Sequence, residues 1–533
     1  MNAEPLLEIR DLSVAIRDEP ILDRVDLAVG RGQIVGLVGE SGSGKSMTAL
    51  SIMKLLPEGA RQTGAVKLQG DDLAAMAEAD MCRMRGSKIG MVFQEPMTAL
   101  NPLQPIGRQV AETIRMHGRA GRADALRRAD EILTRVGLPA ERFSRDRYPH
   151  ELSGGQRQRV VIAIAIALQP NLLIADEPTT ALDVTTQAQI LELLRSLVRE
   201  SGMGLLLVSH DLAVVGTMAD RIAVMNSGQV VEQGPTADLM RDMRHPYTRK
   251  LFAASRHVPR RSAERQQSTD VLLSVASLTR DYPVGRSRLW GQRARFRAVD
   301  DVSFEIRRGE NVGLVGESGC GKSTLARALL GLEPVQGGRV TLAGRSFVEA
   351  GRPPDPSLRQ HIQIVFQDPY GSFNPRHRVE RLVNEPLHLV PGAPTGRDRR
   401  LAVERVLETV GLAPGDADKY PHEFSGGQRQ RLAIARALII EPSLVILDEA
   451  VSALDVSIRA QILDLLARLS DELGISYLFI SHDLSVVRSI TDRVLVMKAG
   501  QIVESGDTAT VFASPQHSYT RQLVAATPII HAA

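Results

Sequence analysis

One ordered set of short motifs occurs twice along the chain, in the same order and at nearly the same spacing. Gly39-Glu40-Ser41-Gly42-Ser43-Gly44-Lys45-Ser46 returns as Gly316-Glu317-Ser318-Gly319-Cys320-Gly321-Lys322-Ser323. Each copy is followed by a Phe-Gln pair (Gln94, Gln367) and a Ser-Gly-Gly-Gln run (Ser153-Gly154-Gly155-Gln156, Ser425-Gly426-Gly427-Gln428). An Asp-Glu pair (Asp176-Glu177, Asp448-Glu449) and a Ser-His-Asp (His210, His482) complete the set. From the serines (153 to 425) through the glutamates (177 to 449) to the histidines (210 to 482) the offset stays at 272. Chance does not keep five landmarks in register, so the chain is a duplication.

The duplication overrides what length alone suggests, which for 533 residues would be three or four average domains. It predicts two α/β P-loop NTPase domains, 1–255 and 271–533, each ending in a similar tail, joined by a polar, arginine-rich linker at 256–270. In each half, strands are expected at 7–16 and 21–29, and at 272–279 and 298–306, followed by a buried strand (34–38, 311–315) that runs into the glycine loop and a helix. Charged stretches of helical period, such as 110–136 and 403–410, read as a helical subdomain inserted into each α/β core. Strands at 172–175 and 444–447 end on the acidic pairs, and one at 205–208 ends just before His210.

Net charge is +3 with the signs interspersed, which implies no strong nucleic-acid field and no nucleic-acid partner. The longest apolar run, 160–168, is too short for the roughly 20 residues a bilayer crossing needs. The first residues have neither the basic start nor the apolar stretch of a signal peptide, so a cytoplasmic chain is expected, with any membrane role supplied by a partner. Cys82 and Cys320 are the only cysteines, too few for a four-cysteine iron–sulfur site. An insert at 285–297 carries the single tryptophan among several arginines; it reads as a solvated basic loop or as a contact with a partner or lipid headgroups.

The chemistry follows from residue type. A loop in which Gly42 and Gly44 let backbone N–H groups approach closely, at the start of a helix, is a phosphate cradle. Lys45 and Lys322 would hold the β- and γ-phosphates of ATP, and the Ser46 and Ser323 hydroxyls would ligate Mg²⁺. Asp176 and Asp448 close apolar strands, where an unpaired carboxylate is costly, and a bond to magnesium-bound water would account for them. Glu177 and Glu449 stand one residue on, where they can polarise an attacking water. Gln94 and Gln367 are neutral side chains suited to sensing the metal and that water, and His210 and His482 can bond the γ-phosphate. Each Ser-Gly-Gly-Gln run opens a second helix and so offers a second anion cradle. One domain does not need two for one nucleotide. The sequence therefore predicts a sandwich, in which this run of one half caps the phosphate held by the other, and the two halves pair within the chain. Cys320, inside the second loop, reads as a small residue at a variable position or as a thiol whose modification would block nucleotide binding.

Taken together these landmarks resemble the ABC ATPase family over essentially the whole chain, with a D-loop in each half (Ala181-Leu182-Asp183, Ala453-Leu454-Asp455). Finer features resemble the ATP-binding subunits of oligopeptide, dipeptide and nickel importers. These are Phe93-Gln94-Glu95-Pro96 with Leu100-Asn101-Pro102, Phe366-Gln367-Asp368-Pro369 with Phe373-Asn374-Pro375, and the tails His245-Pro246-Tyr247-Thr248-Arg249 and His517-Ser518-Tyr519-Thr520-Arg521. Such importers commonly use two ATPase subunits, and this chain looks like the pair fused.

The resemblance implies two membrane-spanning permease subunits as partners, an extracytoplasmic binding protein reached through them, and a peripheral place on the cytoplasmic face of the inner membrane. It also implies that Tyr282 stacks on adenine in the second half, while Ile16 holds that place in the first. Pro178 of the first acidic turn is Ala450 in the second, a change that removes no catalytic group. The expected function is an ATP-hydrolysing energy-coupling subunit of a peptide-type importer. The alternatives are a soluble tandem ATPase acting on ribosomes, which would carry a long charged helical linker, and an importer ATPase for nickel or another non-peptide cargo.

Overall fold

The computed structural model describes residues 4–118, 120–180, 182–261, 268–283, 295–368, 371–452 and 454–527. Ala181, Ala453, Pro369, the middle of the expected linker (262–267) and residues 285–294 of the insert expected at 285–297 lie outside the described residues.

Each half is built on two sheets. The central sheet of the first half runs Gln229–Pro235, Arg221–Asn226, Ile34–Val38, Gly204–Ser209, Leu172–Asp176, Ile89–Val92. All neighbours pair in parallel except the outermost hairpin, Arg221–Asn226 with Gln229–Pro235. The second half repeats this order with Gln501–Asp507, Arg493–Lys498, Asn311–Val315, Ser476–Ile480, Leu444–Asp448, Ile362–Val365. Its four inner strands read as near-continuous apolar runs because both faces are covered. Leu172, Ile174, Leu206 and Val208 pack with the P-loop helix and the smaller sheet, while Leu173, Ala175, Leu205 and Leu207 pack on the helical side.

The smaller sheet is antiparallel: Glu19–Val29, Leu7–Ile16, Ala60–Leu68, Asp71–Asp72, and in the second half Arg295–Arg307, Val271–Pro283, Gly337–Leu342, Arg345–Glu349. Ala60–Leu68 and Gly337–Leu342 carry no regular alternation and are not visible in the sequence pattern. Gly64 explains part of this, since at φ 89° it lies so close to the Asp11 carbonyl that a Cβ would stand 2.4 Å from it. The first hairpin closes through Arg17 and Asp18, both at positive φ, a two-residue turn of the primed kind. The second continues its ladder to Tyr282 opposite Phe296 and Pro283 opposite Arg295, so both strands outrun their expected ends.

The helical subdomain expected over 110–136 is present and is divided in two. It forms two helices, Ile106–Met116 and Arg122–Arg135, because Gly118 takes φ 66° and ends the first. The apolar run at 160–168 lies in helix Gly154–Ile166 and its first following turn, mostly buried. Among the described residues no helix is long and apolar enough to cross a membrane.

Start of the expected linker is not a free polar strand. His257 Nε2 meets Asp464 at 2.7 Å and Arg261 meets Asp492 at 2.7 Å, so both bind the second half.

Packing in the central sheet sets one test. A Cβ on Gly36 would stand 2.1 Å from Val215 Cγ1. Gly36→Ala is expected to destabilise the first half by about 1–3 kcal/mol through overpacking, read as a lower denaturation midpoint.

Candidate active site: two P-loops and the contacts that join them

Strand Ile34–Val38 delivers the chain to the first P-loop, and helix Lys45–Ile52 carries it away. Gly44 sits at φ 104° with a would-be Cβ 2.6 Å from Leu22, so only glycine closes this loop. Lys45 is 5% exposed and donates to the carbonyls of Gly39 (2.9 Å) and Glu40 (2.8 Å). Lys322 repeats this with Gly316 (2.8 Å) and Glu317 (2.9 Å). Burial holds the Lys45 ammonium below its ordinary pKa, against the pull of Glu177, Asp455 and Asp176. Cys320 is buried, and burial pushes its thiol up despite Lys322 nearby, which favours the small-residue reading over a reactive thiol.

The acidic pair ends its strand in an unusual backbone. Glu177 and Glu449 adopt φ 47° and 50°, the left-handed region that a glutamate rarely occupies, held by bonds from their N–H groups to Val208 and Ile480. The turn separates the two carboxylates. Asp176 accepts from Ser46 Oγ at 3.2 Å, and Asp448 from Ser323 at 3.3 Å. Glu177 is gripped by Gln94 Nε2 (2.9 Å), Thr180 Oγ1 (2.9 Å) and His210 Nδ1 (3.1 Å). Glu449 is gripped by Gln367 (2.9 Å) and His482 (3.3 Å). Burial raises the pKa of Asp176 and Asp448. Burial opposes ionisation of Glu177 too, but the histidine bond and charge, Thr180 and Lys45 outweigh it and hold that pKa low. The five landmarks of the sequence thus converge at each P-loop, except the Ser-Gly-Gly-Gln runs.

Those runs are helix N-termini. Ser153 and Gln156 form a reciprocal capping box, as do Ser425 and Gln428. Gly155 is packed so tightly on the next helix that a Cβ would lie 2.2 Å from Thr186, and Gly427 stands 2.6 Å from Ile458 in the same sense. Gly154 and Gly426 lie beside them at the exposed helix ends. The cleft at the second P-loop is lined by Ser318, Gly319, Gly321, Lys322, Ser323, Gln367, Glu449 and His482, and by Asp183 of the first half. Ser153 to Gln156 do not line it.

What crosses between the halves is the D-loop aspartate. Asp455 accepts the N–H of Ser41 at 2.8 Å, and Asp183 accepts the N–H of Ser318. Thr185 adds a 2.8 Å bond to Glu317, whose counterpart the first site does not form. Residue chemistry gave no reason to single out Asp183 and Asp455; only the family resemblance marked them as D-loop residues.

Tyr282 lines the second cleft with Phe296. Its hydroxyl bonds Glu333, and the Arg280 guanidinium covers one ring face at 4.3 Å. Phe296 was not foreseen, and only the ladder register with Tyr282 could have shown it. In the first half the paired positions are Ile16 and Glu19, which offer no aromatic face.

The residues fit a nucleotide with magnesium. Ser43 Oγ is buried inside the first loop without a hydrogen-bond partner, and the hydroxyl, carboxylate and amide oxygens of Ser46, Asp176 and Gln94 are hard donors that need phosphate oxygens to complete a shell. Magnesium, when bound, would neutralise charge on the phosphates.

Residues 22–180 and 299–452, more than half the chain, match the family model described as ABC transporter. The chain belongs to the ABC transporter family. It is an ABC-type ATPase with two ATP-binding domains. Residues 231–279, from the first tail through the expected linker into strand Val271–Pro283, and residues 503–533 of the second tail match a model described as the oligopeptide/dipeptide transporter C-terminal region. The peptidoglycan transport ATP-binding protein YejF of Agrobacterium fabrum is 45% identical over 532 residues, covering 98% of this chain and 97% of that protein. The glutathione import ATP-binding protein GsiA of Escherichia coli K12 is 44% identical over 564 residues, covering 99% of this chain and 90% of that protein.

The pairing of His210 with Glu177 in this ABC ATPase has a pH signature. Burial disfavours the imidazolium, but the Glu177 bond and charge outweigh it, so the His210 pKa lies above its ordinary 6.5 while that of Glu177 lies below 4.5. The pair therefore stabilises fully between those two values. Its contribution fades as pH rises through the folded histidine pKa and as pH falls through the folded glutamate pKa. His210→Gln should lower the melting temperature more at pH 6 than at pH 9, as calorimetry would read.

Proposed function

We propose that the chain couples ATP hydrolysis to the import of peptide-containing cargo through a separate permease. The observation that carries this is full-length similarity to ATP-binding proteins named for glutathione and peptidoglycan transport, joined to a peptide-transporter tail on each half. Glutathione is a tripeptide and peptidoglycan bears peptide stems, so both names point to the same chemical class. On this reading the two ATPase domains run 1–255 and 271–533, joined by a linker at 256–270.

In this reading Glu177 and Glu449 polarise the attacking water. Gln94 and Gln367 hold each carboxylate until the site is complete, and His210 and His482 exchange the glutamate for the γ-phosphate. Ser46, Ser323, Asp176 and Asp448, with the two glutamines, bind Mg²⁺. Ser153 to Gln156 and Ser425 to Gln428 swing onto the phosphates held opposite. Tyr282 presents its free face to adenine, and Ile16 gives the first site weaker stacking. Closure of the halves drives two permease subunits, themselves served by an extracytoplasmic binding protein, from the cytoplasmic face of the inner membrane.

Mild detergent extraction of tagged chain from its own cells should bring down two membrane-spanning subunits. Recovery of ribosomes with an empty membrane fraction would overturn the reading in favour of a translation-associated ATPase. Glu177→Gln with Glu449→Gln should abolish transport and hold ATP without turnover, measured in reconstituted vesicles. Lys45→Ala should weaken ATP hydrolysis at the first site by about two orders of magnitude or more, given the few kcal/mol that such phosphate contacts supply.

A further inference from the structure

Both C-terminal tails reach back into the ATP site of their own half, and the catalytic scheme above gives them no task. Helix Pro246–Ser255 begins behind His245, whose Nδ1 accepts the N–H of Tyr247 at 3.2 Å. Glu232 fixes this start by accepting the N–H groups of Arg244 (2.8 Å) and His245 (3.1 Å). So anchored, the Tyr247 hydroxyl oxygen accepts the N–H of Glu40 at 3.2 Å. Tail two repeats every part. His517 Nδ1 accepts from Tyr519 at 3.1 Å, Glu504 accepts from Gln516 (2.8 Å) and His517 (3.0 Å), and the Tyr519 hydroxyl accepts the N–H of Glu317 at 2.9 Å. Tyr519 is 2% exposed, with the Lys498 ammonium 4.8 Å from its ring centre.

The target of each hydroxyl is specific. The N–H of Glu40 and the C=O of Gly39 belong to one rigid peptide plane. That carbonyl is a partner of the Lys45 ammonium, and in the second site the Gly316 carbonyl likewise takes Lys322. Tyrosine and P-loop lysine therefore hold opposite edges of the same peptide, at a glycine whose torsions are otherwise permissive. Without the tyrosine oxygen that plane is free to turn, and the lysine loses a fixed acceptor.

The tails also touch the other half. Helix Pro246–Ser255 packs against Val456–Leu473, which begins one residue after Asp455, the acceptor for Ser41. Helix Ser518–Ala526 packs against Val184–Ser201, which begins one residue after Asp183, the acceptor for Ser318. Adjacent P-loop amides are thus held by a tail and by the opposite helix against which that tail packs.

We propose that Tyr247 and Tyr519 are positioning residues of the two ATP sites. Each fixes the peptide that orients the P-loop lysine, and each ties that peptide to the opposite half through its tail helix. The proposal rests on the assignment of the P-loops as ATP sites.

The test uses the full chain as Tyr247→Phe and Tyr519→Phe, which remove one oxygen and keep the ring. Glu232→Gln serves as a second variant that loosens the first tail and leaves its hydroxyl in place. Three quantities are read: melting temperature, hydrogen exchange of the peptides containing Glu40 and Glu317, and ATP kinetics with equilibrium ATP binding. For Tyr247→Phe the melting temperature stays within a degree or two. Exchange at Glu40 rises about ten-fold while Glu317 is unchanged, and Tyr519→Phe gives the reverse. ATP Kd and KM rise about three- to ten-fold, the loss expected for one hydrogen bond, while kcat moves less than two-fold. Glu232→Gln shifts exchange and Kd in the same direction, by less.

Unchanged exchange at Glu40, or unchanged Kd with faster exchange, overturns the proposal. So does a lower melting temperature with faster exchange across the whole half, which marks the tyrosine as packing alone. If ATP slows exchange at neither P-loop of the unaltered chain, the ATP-site assignment itself has failed, and the tyrosine proposal falls with it.

Discussion

Two hydrogen bonds between a D-loop aspartate and a P-loop amide, Asp455 with Ser41 and Asp183 with Ser318, tie each P-loop directly to the opposite half. Everything particular to this chain depends on that exchange. A carboxylate at a backbone N–H is worth about 1.5–3 kcal/mol at best, and less where water reaches it. Bonds of that size are weak enough to be remade when the occupant of a site changes. They also put the reporter for one site on the helix that leaves the other, since each aspartate follows its own acidic pair by only a few residues.

Around each joint the same economy recurs. Glu177 is bent into the left-handed region so that its carboxylate parts from that of Asp176, and the released carboxylate is then held by a glutamine and a histidine from two other elements. The backbone strain places one acid beside the P-loop serine and the other beside the histidine, so that burial raises the pKa of Asp176 while the histidine and its neighbours hold that of Glu177 low against the same burial. The two sites are not identical, however. The second has Tyr282 and Phe296 at its mouth and a Thr185 bond to Glu317; the first has Ile16 and Glu19 and none of these.

The sequence made the central strands and the candidate site residues plain because their signals are local. A strand buried on both faces is an unbroken apolar run, and a P-loop must carry its glycines, lysine and serine in fixed order. Register between copies did the rest. What stayed hidden depends on distance. Ala60–Leu68 pairs with a strand far up the chain around a glycine close approach and has no alternation of its own. Phe296 joins its site through ladder register across the 284–294 stretch, and Tyr247 reaches a residue 207 positions earlier. The split of the 110–136 stretch turned on one glycine at positive φ, which helical period alone does not show.

The most direct test of a two-site machine is the steady-state ATPase rate of the single variant Glu449→Gln. Sites joined through reciprocal aspartate contacts should fall together, leaving roughly a tenth of the activity or less. Half the rate remaining, with an unchanged KM for ATP, would mean that the two halves hydrolyse independently and that the cross-half bonds carry no coupling.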